Sequence, residues 1–293
     1  MYDIAIIGGG PAGLSAGVYA ARGGAKCCIL EEVAYGGQVN QIDHIDNYLG
    51  MNGESGMELA EKFSEHAKQH GVEFIRRKVK SVELDGDVKV IHTSRIDVQA
   101  KNIIIATGAK PRKSGLEAEE RFAGNGVSYC ATCDGAFYKD KTVAIIGGGD
   151  TALSDALYLS RIANKIYLIH RRDEFRGAKS LQDKIRDCDN IECLMNAKLE
   201  DIYGENSVAG IVVNGEKISV DGVFMAIGTQ PNNELFVNKV ELDKNGYIIT
   251  DSKMKTSVSG VYAVGDIRNT PLRQVITAVA DGAVAAFDAL ENI

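Results

Sequence analysis

Cys130-Ala131-Thr132-Cys133-Asp134 sets two thiols two residues apart, with a carboxylic acid directly after the second. Thiols so spaced can close a small disulfide, and such a pair is a redox couple more often than a structural staple. The acid at 134 can supply the proton that each reduction step needs. A helix starting after Cys130 would lower its thiolate pKa through the N-terminal dipole. The rival chemistry is zinc, which needs four ligands, usually from two such pairs. Cys27 and Cys28 are adjacent in a predicted buried strand, Cys188 and Cys193 stand five apart in a polar stretch, and histidines are few and scattered. No metal site is expected, and those four cysteines read as bystanders.

A glycine-rich loop stands on each side of the sulfur pair: Gly8-Gly9-Gly10-Pro11-Ala12-Gly13 before it and Gly147-Gly148-Gly149-Asp150-Thr151-Ala152 after it. Each follows an apolar strand and opens a helix. Such glycines permit a tight turn and close approach of a pyrophosphate to free N–H groups at the helix start. Gly8, Gly10, Pro11, Ala12 and Gly13 form the first candidate cradle. Gly147, Gly149, Asp150, Thr151 and Ala152 form the second, where the small Ala152 still allows close helix–strand packing.

The two copies are in register, Gly8 to Glu31 and Gly147 to His170 both spanning 23 residues. At the end of the next strand the first copy has Glu31, which can accept from a ribose hydroxyl and would repel a 2′-phosphate. The second has His170-Arg171-Arg172, with Arg176 one turn on. Guanidinium forks suit a phosphate. The first site is expected to take a dinucleotide without a 2′-phosphate and the second NADPH. The alternative is a solvated basic face; the register with Glu31 favours the phosphate.

These loops need strands and helices to hold them. Tyr2–Ile7, a small-residue helix to about Arg22, and Lys26–Leu30 form a βαβ opening. Thr142–Ile146, a helix to about Ala163, and Lys165–Ile169 repeat it. A second echo pairs Ala106-Thr107-Gly108-Ala109-Lys110-Pro111 with Ala226-Ile227-Gly228-Thr229-Gln230-Pro231, each after an apolar strand, 102–105 and 222–225. Gly265-Asp266 ends a further strand, near Arg273-Gln274-Val275 at the start of a long Ala-rich helix. A carboxylate at such a strand end can hold a ribityl hydroxyl of a flavin, a reading that gains weight only beside the other parts. The fold class is α/β: two Rossmann-like dinucleotide-binding domains, the second inserted in the first. The first would comprise residues 1–112 and 236–293, the second 113–235.

The totals agree. A chain of 293 residues can build two cores, and 45% hydrophobic with 25% charged residues is ordinary globular composition. A net charge of −7 argues against a nucleic-acid or anionic-membrane surface. Met1 leads straight into a strand, and no apolar run is long enough to span a bilayer. Six cysteines are too sparse for a secreted disulfide scaffold, so a cytoplasmic setting with most thiols reduced is expected.

Taken together, Gly8–Gly13, Gly36-Gly37-Gln38, Asn47-Tyr48, Ala106-Thr107-Gly108, Cys130–Asp134, Gly147–Ala152, His170–Arg176, Gly265-Asp266 and Arg273-Gln274-Val275 cover nearly the whole chain. In that order they resemble the bacterial-type, low-molecular-weight thioredoxin reductases, a class II group of pyridine nucleotide-disulfide oxidoreductases. The resemblance implies FAD in the outer domain, NADPH in the inserted one, a homodimer, and reduction of thioredoxin or a thioredoxin-like protein. It adds flavin contacts at Gly36, Gly37, Gln38, Asn47, Asp266, Arg273 and Gln274, with Glu31, Ala106, Thr107, Gly108, Gly265 and Val275 completing the expected FAD site. Cys133 takes the role of the sulfur beside the flavin, Cys130 of the sulfur that attacks the partner disulfide, and Asp134 of the proton donor. The inserted domain would rotate between two states, one for each partner of the flavin.

The sequence departs from the family pattern in three places: Gly177 for a usual Ala, Ser154-Asp155 for a common Glu-Glu, and Glu117-Ala118-Glu119 for Pro-Gly-Glu. A peroxiredoxin-linked relative usually carries an extra N-terminal module, whereas this sequence starts at its first strand. A ferredoxin-fed reductase is disfavoured by His170–Arg176, and a non-catalytic redox sensor by the intact sulfur motif.

Overall fold

The computed structural model describes residues 1–42, 45, 47–51 and 53–293, the side chain of Gln41 aside. The chain divides into an outer unit, Met1–Lys110 with Gln230–Ile293, and an inserted unit, Pro111–Thr229. The second limit falls six residues before the one read from the sequence, for a physical reason. The Asn232 amide group and backbone N–H donate to the carbonyls of Thr107 (2.8 Å) and Gly108 (3.0 Å), and Phe236 is fully buried in the outer core. The segment after Pro231 therefore folds with the outer unit.

The outer unit opens with β1 (Tyr2–Ile7), α1 (Pro11–Arg22) and β2 (Cys27–Glu31). Next come α2 (Gly56–Gln69), β3 (Glu73–Arg76), β4 (Val79–Glu83), β5 (Lys89–Thr93) and β6 (Asp97–Ile105). Strand β7 (Ala109–Pro111) spans the first crossing, and in the inserted unit lie α3 (Glu117–Arg121), β8 (Val127–Ser128), α4 (Ala131–Asp134), β9 (Thr142–Ile146), α5 (Asp150–Leu159) and β10 (Lys165–Ile169). Then follow α6 (Lys179–Arg186), β11 (Ile191–Leu194), β12 (Leu199–Gly204), β13 (Val208–Val213), β14 (Glu216–Ile218) and β15 (Gly222–Met225). After β16 (Thr229–Pro231) the outer unit closes with β17 (Val261–Ala263) and α7 (Val275–Leu290).

Each unit is built on the same parallel sheet. In the outer unit the order is β3-β2-β1-β6, with β17 parallel to the end of β6 and β5-β4 added antiparallel to its start. In the inserted unit it is β11-β10-β9-β15-β8, all parallel. Both faces of the sheet centres are covered, so β1, β2, β9 and β15 are mostly apolar and buried. Along β1, Ile4 and Ile6 face α1 and α7, while Ala5 and Ile7 face a second core with Phe236 and Ile248. Along β9, Val143 and Ile145 face α5, while Ala144 and Ile146 face the antiparallel β12-β13-β14 sheet. A fully buried Ile is worth roughly 1.5–3 kcal/mol, so a one-residue slip of either strand would forfeit several such contributions.

Small residues bring α1 onto α7: a Cβ added at Gly282 would lie 2.1 Å from the Ala12 carbonyl oxygen, and the Ser15 hydroxyl donates to the Val279 carbonyl at 2.7 Å. Helix α5 stops at Leu159, short of the expected Ala163. Ser160 and the residues after it continue as turns whose N–H groups still reach Ala156, Tyr158 and Leu159 carbonyls.

Candidate redox and dinucleotide sites

Cys130 and Cys133 form a disulfide with Cα atoms 5.3 Å apart. Strand β8, held between Phe122 and β15, delivers the chain to this turn. Both cysteines are half-buried and Thr132 is exposed, so the couple is partly open to a reaction partner. Cys130 is the N-cap of α4, and the Cys133 N–H donates to its sulfur at 3.2 Å. Because α4 is a single turn of four residues, a thiolate at 130 would be stabilised by such local donors, the Cys133 N–H and the Thr132 hydroxyl at 3.4 Å, rather than by a long helix dipole. Asp134 lies in the same turn and accepts from the Ser128 hydroxyl at 2.5 Å.

The residue before the couple is anchored too. The Tyr129 hydroxyl donates to Glu119 at 2.8 Å, and the other Glu119 oxygen accepts from the Ser114 N–H at 2.7 Å. Burial, then the Glu119 contact, pushes the Tyr129 hydroxyl far above its ordinary pKa, keeping it a donor. Glu119 is fully buried, so it is the member of Glu117-Ala118-Glu119 that organises this region. Of the free cysteines, Cys27 is pushed up to about 11 and Cys28 further still, chiefly by burial, which leaves both inert.

In the inserted unit the second glycine loop joins β9 to α5. A Cβ at Gly147 would sit 2.3 Å from the Ala226 carbonyl oxygen, so only glycine lets these strand ends approach. The Arg176 N–H donates to the Gly148 carbonyl at 2.7 Å and the Ala178 N–H to the Asp150 carboxylate at 2.7 Å. The loop and the basic segment are thus one construction. Arg171, Arg172 and Arg176 are exposed, free to meet an anion, while Thr151 is exposed beside the helix start and Ala152 is buried.

His170 does something different from its neighbours. It is 5% exposed, lies stacked with Phe175, and a Cβ on Gly148 would come within 2.3 Å of its ring. Burial pushes its pKa down, and Arg176, Arg172 and Arg171 push the same way against a hydrogen bond with the Glu174 backbone. It is a neutral floor beneath the loop rather than part of the cationic rim. On α5, Ser154 is exposed, and burial pushes Asp155 up to about 6.

In the outer unit the first loop has the same close approach, with a Cβ at Gly8 meeting the Ala106 carbonyl oxygen at 2.3 Å. The Gly36 N–H donates to the Gly9 carbonyl at 2.7 Å. Glu31 serves its own loops first. One carboxylate oxygen accepts from Gly9 N–H at 2.9 Å, the other from Glu32 and Val33 N–H at 2.8 and 3.1 Å. Each oxygen keeps lone-pair capacity for a ribose hydroxyl.

Pro11, Ala12 and Gly13 form the first turn of α1. Gly37 and Gln38 start a short 3₁₀ turn, and the Gln38 amide group donates to the Ala109 carbonyl beside Gly108. Thr107 donates to the Asn232 carbonyl at 2.9 Å. Asn47 donates to Gln274 at 3.0 Å, which joins the segment before α2 to the N-cap of α7, and Val275 is the first residue of that helix. Burial raises Asp266 to about 6, with Arg273 opposing and Asp281 adding to the rise. The Arg273 guanidinium lies 4.1 Å over the Tyr247 ring.

Dinucleotides fit both cradles. At Gly10 and Gly149, the N-cap residues of α1 and α5, an added Cβ would meet nothing within 4 Å, so the approach to each helix start is clear. Buried polar atoms without a partner among the described residues include Tyr35 Oη and Arg273 Nε in the outer unit and His170 Nε2 in the inserted one. Sequence reasoning missed Tyr35, whose ring lies against Gly9, along with Ser128, Asn232 and the Arg268–Asp281 pair. That pair, joined at 2.7 Å, also holds the Gly265 N–H at 3.0 Å. One signal existed for Asp281: it and Asp288 stand seven apart in an Ala-rich helix, hence on one face, and both are buried.

Residues 2–282 match the family model described as pyridine nucleotide-disulphide oxidoreductase. Similar curated proteins include a thioredoxin reductase of Peptoclostridium acidaminophilum, 44% identical over 99% of this chain and 96% of that protein. Another is a thioredoxin reductase of Bacillus subtilis (strain 168), 40% identical over 98% of this chain and 93% of that protein. Among solved structures, a thioredoxin reductase of Streptococcus pyogenes MGAS5005 aligns with a TM-score of 0.94 at 40% identity, covering 100% of this chain and 99% of that one. Among the described residues no group of three or more His, Cys, Asp or Glu is arranged to hold a metal ion, and no helix is long and apolar enough to cross a membrane.

Proposed function

Because the chain belongs to the pyridine nucleotide-disulphide oxidoreductase family, as one of its thioredoxin reductases, we propose that it passes two electrons from NADPH, by way of FAD, to the Cys130–Cys133 disulfide. From there they go to the disulfide of thioredoxin or a thioredoxin-like small redox protein. The observation that carries this reading is a half-buried disulfide with an adjacent hydrogen-bonded acid, in the same unit as a glycine loop rimmed by three exposed arginines. FAD held by the outer unit would supply the two-electron chemistry that links a nicotinamide to sulfur.

The remaining chemistry belongs to side chains. Two electrons break the sulfur–sulfur bond, and two protons complete the dithiol. Cys130 leaves as a thiolate facing the Cys133 N–H, the form in which it attacks, and Asp134 supplies the proton to the sulfur that this attack displaces. Cys130 then attacks the partner disulfide and Cys133 resolves the mixed disulfide. In NADPH binding, Arg171, Arg172 and Arg176 take the 2′-phosphate while Gly147, Gly149, Asp150, Thr151 and Ala152 shape the pyrophosphate cradle. The FAD site combines Gly8–Gly13, Glu31, Gly36-Gly37-Gln38, Asn47, Ala106–Gly108, Gly265-Asp266 and Arg273–Val275. Sulfur couple and nicotinamide loop share one unit, yet one flavin must serve both in turn, so the inserted unit rotates about the two crossings. Cross-linking the units should abolish turnover, and full activity of a locked protein would disprove the rotation.

A homodimer is supported by the outward face of α7, where Ile276, Ala280, Val284 and Phe287 form an exposed apolar stripe. Four free cysteines suit a reducing, cytoplasmic setting. The deciding experiment is anaerobic titration with NADPH against NADH, followed by a thioredoxin-dependent disulfide assay. NADPH should bleach the flavin and then drive thioredoxin reduction. Colourless protein that cannot be reconstituted with FAD, or full activity after Cys130→Ser, would overturn the proposal.

A further inference from the structure

Ser128 is the last residue of β8, and its backbone is fixed by parallel pairing opposite Phe224 of β15. It is 5% exposed, so its hydroxyl exchanges partners with little help from water. That hydroxyl is a junction. It accepts from the Cys130 N–H at 3.1 Å and lies 2.5 Å from the Asp134 carboxylate. The Cys130 carbonyl is a second acceptor at 3.4 Å. A hydroxyl has one proton to give. The shorter contact, to a carboxylate, is the stronger by distance and by charge, so the proton goes to Asp134.

We infer that Ser128 is a positioning residue that ties the acid at 134 to the sulfur at 130. The inference rests on the reading of Asp134 as the proton donor. A hydrogen bond given to a carboxylate favours its ionised form. The Ser128 contact therefore orients the Asp134 carboxyl group and favours its ionised form once the proton has passed to sulfur. The Cys130 N–H, bonded to the same oxygen, keeps the two groups in a fixed relation as the disulfide opens. The proton balance is unchanged: the electron pair reduces the disulfide, one proton reaches sulfur through Asp134, and the carboxylate is reloaded from solvent.

The test compares wild type with Ser128→Ala, Ser128→Thr and Asp134→Asn. One readout is the pH profile of thioredoxin-linked turnover. The other is the dithiol–disulfide midpoint potential of the sulfur pair, measured against pH by thiol alkylation in a redox buffer, which does not depend on turnover. Each should show a break in wild type that Asp134→Asn removes. In Ser128→Ala the break should move upward by about one pH unit, the size expected for one lost hydrogen bond to a charged group. Ser128→Thr, which keeps the hydroxyl, should restore the wild-type position. A break that stays in place in folded, flavin-loaded Ser128→Ala overturns the positioning role while leaving the reading of Asp134 intact. If Asp134→Asn itself retains full turnover and an unchanged profile, the premise fails and the inference with it.

Discussion

The two glycine loops are the same object made with different side chains. In each, the first glycine crosses a strand-end carbonyl at the same close distance, 2.3 Å from a would-be Cβ. Each middle glycine carbonyl also accepts an N–H from a later loop at 2.7 Å, Gly36 in one and Arg176 in the other. The difference lies in what the next strand delivers. Glu31 turns back to bind three backbone N–H groups, so its negative charge stays at the loop. His170 is buried under Gly148 and the charge moves outward to three arginines. Backbone geometry fixes where a pyrophosphate can lie, and the following residues decide which dinucleotide it belongs to.

The strongest way to break this likeness is at its third position, Gly13 against Ala152. A Cβ on Gly13 would sit 2.0 Å from the Gly8 carbonyl oxygen, which is backbone and cannot step aside. Gly13→Ala should destabilise the outer unit by about 3 kcal/mol, the upper end for overpacking, and strip its flavin. The reciprocal Ala152→Gly should cost only about 1 kcal/mol, as for a helix-interior glycine. Denaturation midpoints and flavin content after gel filtration measure both. Equal effects would mean that the loops are more alike than their contacts indicate.

A second comparison is electrical. Arg172→Ala with Arg176→Ala should reduce the preference for NADPH over NADH by roughly a hundredfold or more, since two charged hydrogen bonds at about 1.5–3 kcal/mol each are removed. The measurement is the ratio of kcat/KM values for the two donors. FAD affinity should be unchanged, because the outer cradle has no part in this rim. His170 gives a smaller, pH-dependent contrast. Its pKa is lowered by folding, so protons bind the unfolded chain more tightly. The stability it preserves is complete above its unfolded pKa of about 6.5 and falls as pH drops through that value. Urea unfolding at pH 8 and pH 5 should show wild type losing more stability than His170→Asn over this interval.

Legibility in the sequence followed the same division between backbone and side chain. Residue spacing predicts both βαβ openings to within about one residue, the end of α5 apart, because an apolar strand, glycines and a small-residue helix are each enforced by local sterics. The sulfur couple is equally plain. Residues that act by turning back onto the chain are hidden. Glu31 reads as a ribose ligand, and only the folded chain reveals its service to the loops. His170 reads as part of a basic run, yet it is buried because the empty face of Gly148 makes room for its ring. Ser128 and Asn232 carry no motif; their partners lie across turns that no periodicity encodes. The same holds at the end of the inserted unit, where the Asn232 amide group donates to the Thr107 carbonyl and the Thr107 hydroxyl donates to the Asn232 carbonyl.

Gly177 gives the finest test of how closely the second loop is fitted. Where the family usually has Ala, this chain has Gly, and the structure supplies a reason. A Cβ there would lie 2.5 Å from the end of Leu153 and 3.1–3.2 Å from the backbone of Gly149 and Asp150. The Leu153 contact is with a flexible methyl group and can be relieved; the backbone contacts lie at the helix start that would meet the pyrophosphate. Gly177→Ala should therefore raise KM for NADPH about threefold and leave kcat nearly unchanged, with a stability loss of about 1 kcal/mol. Leu153→Val beside it should recover part of the stability loss, a positive coupling readable in a double-mutant cycle. KM would stay raised if the backbone contacts dominate. Recovery of both quantities would assign the whole effect to Leu153, and no change in either would mean that the second cradle tolerates the methyl group its relatives carry.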